Sequence, residues 1–151
     1  MRIREAQATD RNQLLAMRAA LWPEGSLEEH ASELDATLGT GMSGTLPGTT
    51  LVSQDEDGEL TGFLDVGLRS HADGCDTAQP VGFVEGWFVR EAFRDRGVGK
   101  ALMRAAEEWA RGHGCREIAS DTQVENEESQ RAHAALGFQE TDRCVYYRKD
   151  L

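Results

Sequence analysis

The segment Phe88–Lys100, FVREAFRDRGVGK, constrains this chain most, because an apolar strand stops there and a helix begins almost at once. Trp87, Phe88 and Val89 close an apolar run, a charged turn follows, and the spacing from about Val98 to Arg111 predicts a helix. The first amides of a helix have no intrahelical acceptor, and the peptide dipoles favour negative charge at that end. A pyrophosphate fits there on backbone alone. Gly97 and Gly99 let the main chain approach phosphate oxygens, and Asp95, Arg96, Val98 and Lys100 complete the turn. Arg94, Arg96 and Lys100 add positive charge. An ATP-type phosphate loop is excluded by spacing, since the positions of its first Gly and its Ser or Thr hold Arg94 and Ala101. Taken alone, the glycine pair also suits an ordinary tight turn.

The rest of the chain alternates strands with helices. Arg2–Ala6 reads as a strand, Thr9 and Asp10 as caps of a helix to about Leu21, and Trp22-Pro23 as its end. Ser26 and Glu29 form a capping box for a second helix to about Leu38. Gly39–Gly48 is expected to be a mobile loop. Leu51–Gln54, the turn Asp55–Gly58 and Leu60–Leu68 predict a hairpin, and Arg69–Gln79 a loop. Strands are expected at Val81–Val89 and Cys115–Ser120, a helix at Asn126–Leu136, and one or two strands over Phe138–Lys149. The pattern describes a single-domain α/β fold, residues 1–151, with a mixed central β-sheet flanked by helices.

At 151 residues one core suffices. The N-terminus has no apolar signal region and no stretch reaches membrane-spanning length, so a cytoplasmic protein is expected. Cys75, Cys115 and Cys144 are odd in number and widely spaced, which predicts free thiols and no metal site. A net charge of −11 argues against non-specific nucleic-acid binding and favours a cationic partner, though it also serves solubility.

RDRGVG matches the (Arg/Gln)xxGx(Gly/Ala) signature, and the chain resembles the GCN5-related N-acetyltransferases, which bind acetyl-CoA by such a turn. Asn126 with Ser129, opening a helix, and Leu136-Gly137-Phe138, closing it, follow in the family's order. The resemblance runs from Ile3 to about Lys149.

Acetyl transfer to an amine needs a neutral nucleophile, a stabilised oxyanion and a proton for the leaving thiolate. Strand alternation puts Glu85 on one face with Phe83 and Trp87, where an unpaired carboxylate would cost several kcal/mol. A cationic partner, strong hydrogen bonds or a raised pKa is therefore expected, unless Glu85 turns outward at a bulge or pairs with Arg69. Asp121 follows a strand, where ligand clefts form, and equally suits a turn. Asp142 suits an acidic pocket or a hairpin turn, and Trp22 a pocket wall or a core position. His133 lies four residues before Gly137, where many family members carry a tyrosine thought to protonate the thiolate. It is read as a general acid or a packing residue, with Tyr147 and solvent as the other proton sources. Main-chain amides near Phe88 and Val89 would polarise the carbonyl if the strand is splayed.

Further words narrow the likeness. LWP from Leu21, GCD from Gly74, FVEGWFV from Phe83, REIASDT from Arg116 and ALGFQET from Ala135 resemble the dimeric bacterial aminoglycoside 6′-N-acetyltransferases. The resemblance implies a homodimer that acetylates 6′-amines of aminoglycoside antibiotics with acetyl-CoA. Catalytic candidates are Glu85, Asp121, His133 and Tyr147, and acceptor contacts fall on Trp22, His71, Glu85, Asp121 and Asp142. Acetyl-CoA contacts fall on Trp87, Phe88, Val89, Asp95–Lys100 and Asn126. The competing readings are acetylation of another polyamine or protein amine, and a non-catalytic acetyl-CoA sensor.

Overall fold

A computed structural model describes residues 1–151. A sheet in the order β1-β3-β4-β5-β6 forms its middle layer, with β2 paired to β3. The strands are β1 Arg2–Glu5, β2 Met42–Ser43, β3 Leu46–Gln54, β4 Leu60–Arg69, β5 Val81–Val89 and β6 Ile118–Ser120. The helices are α1 Arg11–Leu21, α2 Leu27–Thr40, α3 Val98–Gly112 and α4 Glu127–Ala135. All pairings are antiparallel except β5 with β6. A parallel pair needs a long crossover, and α3 supplies it between β5 and β6.

Strand alternation sorts the core into two layers. Leu51, Leu64, Val66 and Val84 face α3, where Val98, Leu102, Met103 and Ala106 cover them. Val52, Leu60 and Phe63 face the other way, onto Leu14 and Met17 of α1 and Leu34 of α2. Burial of these side chains stabilises the fold by roughly 1.5–3 kcal/mol each.

The capping box of α2 forms, with Glu29 N donating to Ser26 Oγ at 3.1 Å and Ser26 N to Glu29 Oε2 at 3.4 Å. The entry to α1 is built differently from the simple cap expected of Thr9 and Asp10. Ala8–Asp10 make a 3-10 turn, and the buried Asp10 carboxylate accepts Gln7 N at 2.8 Å and the Arg4 guanidinium at 2.7 and 2.9 Å. Those bonds hold the Asp10 carboxyl below the usual carboxylate range, against the opposing effect of burial.

Two expectations are corrected. Gly39–Gly48 is largely ordered: Gly41 ends α2 in the left-handed region at φ 67°, β2 follows, and β3 begins at Leu46. The hairpin closes tightly because Gly48 is bare; a Cβ there would stand 2.6 Å from Ser43 Cβ. Phe138–Lys149 forms no strand. Its run of Val145, Tyr146 and Tyr147 suits a sheet, but a strand exists only with a ladder partner, and this segment has none within the chain.

Candidate active site

β5 and β6 pair only through Gly82–Ile118, Phe83–Ala119 and Val84–Ser120. Beyond Val84 they separate, leaving Glu85–Val89 with a free edge on that side. The expected splay is therefore present beside Phe88 and Val89.

After Val89 the chain makes a 3-10 turn over Glu91–Phe93, and Arg94 Nε donates back to Val89 O at 3.0 Å. Asp95 stands at φ 60° and Gly97 at φ 81°. The amides of Asp95, Arg96, Gly97, Val98, Gly99 and Lys100 have no acceptor in the protein, and the first helical bond joins Ala101 N to Gly97 O at 3.0 Å. Six consecutive free donors at a helix head form an anion cradle. The two glycines serve different ends. A Cβ on Gly97 would meet nothing, so its backbone conformation demands glycine; one on Gly99 would stand 3.3 Å from the Trp87 indole. Trp87 Nε1 donates to Gly99 O at 3.1 Å, locking the indole to the turn.

A shallow groove of about 130 Å³ runs on between α3 and α4, lined by Lys100, Met103, Arg104, Glu107, Ala135 and Leu136. Arg104 falls one helical turn beyond Lys100, a cation that the glycine signature does not mark. Asn126 Oδ1 accepts Ser129 N at 3.0 Å and caps α4, so its structural duty is established whatever else it touches.

His133 projects from α4 into the junction of these parts. Its ring meets Trp87 edge-on at 5.2 Å and Phe138 at 5.1 Å. Nδ1 lies 2.7 Å from Ser129 O and Nε2 2.8 Å from Ser120 Oγ. The carbonyl requires a proton on Nδ1, so neutral His133 accepts the Ser120 hydroxyl and protonated His133 donates to it. Both nitrogens are engaged, which ties α4 to the end of β6.

Glu85 departs from simple alternation. Asp65 pairs with Gly86 and Val66 with Val84, so Glu85 is the extra residue of a bulge. The bulge lets Val84 and Trp87 both face the α3 core and turns Glu85 outward, away from the shared face expected with Trp87. Its carboxylate is exposed and takes Arg69 in a bidentate pair at 3.0 and 2.8 Å, while Arg69 also covers Phe83 at 3.5 Å. The cationic partner is present; the buried setting is not.

Trp22 lies across Gly86, where a Cβ would stand 2.5 Å from the indole, so it reaches the β5 bulge beside Glu85. Behind it is a polar network that sequence reasoning missed. Arg18 is buried and pairs with Asp65, which also accepts Thr50 Oγ1 at 2.6 Å; the guanidinium lies 5.1 Å from the Trp22 ring centroid. Burial pushes the Asp65 carboxyl up and Arg18 pulls it back. The available signal was an arginine at the fourth position after Leu14, on the apolar face of α1.

The remaining acidic and aromatic candidates are solvent-facing. Asp121 leaves the end of β6 exposed, His71 sits on the exposed β4–β5 loop, and Asp142 and Tyr147 lie on the extended C-terminal segment, Tyr147 at 92% exposure. Cys144 pushes the Tyr146 phenol up, and the negative charges of Asp121 and Asp73 act in the same direction. Trp22 and Glu85 are thus brought together, as are Trp87, the turn and His133. All three cysteines are free; burial raises the Cys75 and Cys115 thiols, which disfavours a nucleophilic thiolate.

The Acetyltransferase (GNAT) family pattern matches residues 12–138. The aminoglycoside N(6′)-acetyltransferase type 1 of Klebsiella aerogenes is 42% identical over 149 residues, covering 99% of this chain and 96% of the relative. That of Serratia marcescens is 43% identical over 138 residues, covering 91% and 90%. AAC(6′)-Iy in complex with the bisubstrate analogue CoA-S-monomethyl-acetylneamine superposes with a TM-score of 0.88 at 37% identity, covering 99% of this chain and 98% of that one. Fold, glycine turn and full-length similarity agree that the chain belongs to the GNAT acetyltransferase family and, within it, to the aminoglycoside N(6′)-acetyltransferases.

Proposed function

We propose that this chain, acting as one acetyltransferase domain over residues 1–151, transfers acetyl from acetyl-CoA to the 6′-amine of aminoglycosides and so confers resistance. The observation that carries the reading is the run of six free amides from Asp95 to Lys100, a built anion cradle inside a family whose relatives bind CoA. The acceptor follows from relatives named as aminoglycoside N(6′)-acetyltransferases and from an acidic chain of net charge −11.

The residues divide the work. Asp95–Lys100 hold the pyrophosphate, Lys100 and Arg104 add cationic contacts along the α3–α4 groove, and Trp87 and Asn126 brace the turn and α4. The free edge of β5 at Phe88 and Val89 offers amides to the thioester carbonyl. Acetyl-CoA supplies an activated acyl group; the chain's residues orient the amine and manage its protons. Glu85 and Asp121 attract the acceptor's ammonium groups and accept its proton through solvent, Trp22 walls the sugar, and His71 and Asp142 shape the rim. Arg69 must yield part of its hold on Glu85 when a cationic sugar arrives. Proton return to the thiolate falls to His133 through the Ser120 hydroxyl, with Tyr147 the second source. The enzyme works in the cytoplasm as a homodimer.

Product analysis tests the regiochemistry. Nuclear magnetic resonance of acetylated tobramycin is expected to place the new amide on the 6′-nitrogen; an acetyl group elsewhere would refute the assignment.

A further inference from the structure

The buried network behind Trp22 is poorly made as a stability device. Arg18 is 5% exposed; its guanidinium pairs with Asp65 of β4 and, at 3.4 Å, with Glu33 of α2, while Asp65 accepts Thr50 of β3. Two charges have left water there, and Arg18 Nε is buried with no acceptor. Apolar residues packed in the same space would serve the core at least as well. What the pair adds is a fixed direction, because a planar cation bonded to two elements cannot turn without breaking a bond.

Two residues of the acceptor site depend on that direction. Trp22 follows Arg18 by one helical turn, and its N–H closes α1 by donating to Arg18 O at 2.8 Å. Its indole has the Arg18 guanidinium 5.1 Å from the ring centroid, the His30 ring stacked at 6.2 Å and Phe63 edge-on at 6.1 Å. The half-buried indole covers Gly86, and Gly86 is the residue that pairs with Asp65. The register breaks just after that pair, between Asp65 and Val66, and the break turns Glu85 outward. One ion pair thus holds the aromatic wall on one side and the strand position where the bulge starts on the other. The network's bonds end at Thr50 and Glu33, and none reaches the Asp95–Lys100 turn.

We infer that Arg18 and Asp65 are a positioning pair for the acceptor: they fix the Trp22 indole against Gly86 and pin the β4 side of the bulge, so that Trp22 and Glu85 keep the spacing an aminoglycoside meets. This rests on the acceptor roles proposed above for Trp22 and Glu85, and names the residues that set their geometry. Acetyl-CoA binding is independent of the pair.

The test replaces the network in the full chain by apolar residues, Arg18→Met with Thr50→Val and Asp65→Leu. The melting temperature is expected to stay at or above the parent's. KM for acetyl-CoA is expected to stay within about twofold, and KM for tobramycin to rise about tenfold with kcat changed less. In protein labelled with 5-fluorotryptophan, the Trp22 fluorine line, assigned by its loss in Trp22→Phe, is expected to broaden or split while the Trp87 and Trp109 lines hold. Arg18→Lys is the milder variant and decides the matter if the triple variant does not fold. It keeps the charge and loses the planar fork, and a smaller rise in the tobramycin KM with the same fluorine signature is expected. Trp22→Ala separates the two readings. If it raises KM for tobramycin while the network variants do not, the pair is packing alone and the inference falls. If Trp22→Ala leaves that KM unchanged, the acceptor reading falls and the inference with it. A network variant that raises both KM values alike would also overturn the inference.

Discussion

Gly97 and Gly99 show how two residues of one kind answer to different physical demands. Gly97 stands at φ 81° with open space around it, so a β-branched replacement strains the turn at a cost of about 1–3 kcal/mol. Gly97→Val is expected to raise KM for acetyl-CoA by roughly tenfold or more, at that cost, with secondary structure unchanged; an unaltered KM would remove the turn from cofactor binding. Asp121 makes no ion pair within the chain and follows the last paired residue of β6, Ser120. Asp121→Asn is expected to lower kcat/KM for the aminoglycoside by about 1–2 kcal/mol of lost charge attraction, roughly five- to thirtyfold, and to leave acetyl-CoA affinity intact. Kinetics that do not respond to the change would take Asp121 out of the acceptor site. Glu85 illustrates the limit of reading faces from spacing. Its pairing with Arg69 could be anticipated, but the bulge that separates it from Trp87 depends on β4, where Asp65 is fixed by Arg18 and Thr50.

At the level of elements, the turn at α3, the capping box of α2 and the start of α4 at Asn126 were legible because local hydrogen bonds make them. β3 was read too short, since Gly41 and Gly44 look like loop residues until β2 is seen to pair back on Leu46 and Pro47. The strand expected at Phe138–Lys149 was wrong, because propensity alone makes no ladder and the segment has no partner strand within the chain. The entry to α1 gives a stability test. Asp10 is held below its ordinary pKa chiefly by Arg4, so its contribution is complete above the unfolded carboxylate range, about pH 4, and is lost as pH falls through the lower folded value. Asp10→Asn is expected to lower unfolding free energy at pH 7 by about 2–3 kcal/mol and to flatten the acid limb of the stability curve. Denaturant titrations across pH measure both; a variant as stable as the parent would show that the pair contributes nothing net.

Across the whole molecule, the sheet does two things at once. It gives α1–α2 and α3 opposite faces to bury, and it opens between β5 and β6 where the free amides, Trp87 and His133 gather. The acidic surface and the exposed carboxylates at Glu85 and Asp121 then suit a small polycation better than an extended peptide. That preference is the central claim, and it is tested by following CoA release with acetyl-CoA and a panel of acceptors. The panel pairs 6′-amino aminoglycosides with a 6′-hydroxyl analogue, spermidine and a lysine peptide. Turnover confined to the 6′-amino drugs is predicted. Comparable turnover of spermidine or the peptide, or no turnover at all while calorimetry shows acetyl-CoA bound, would contradict it.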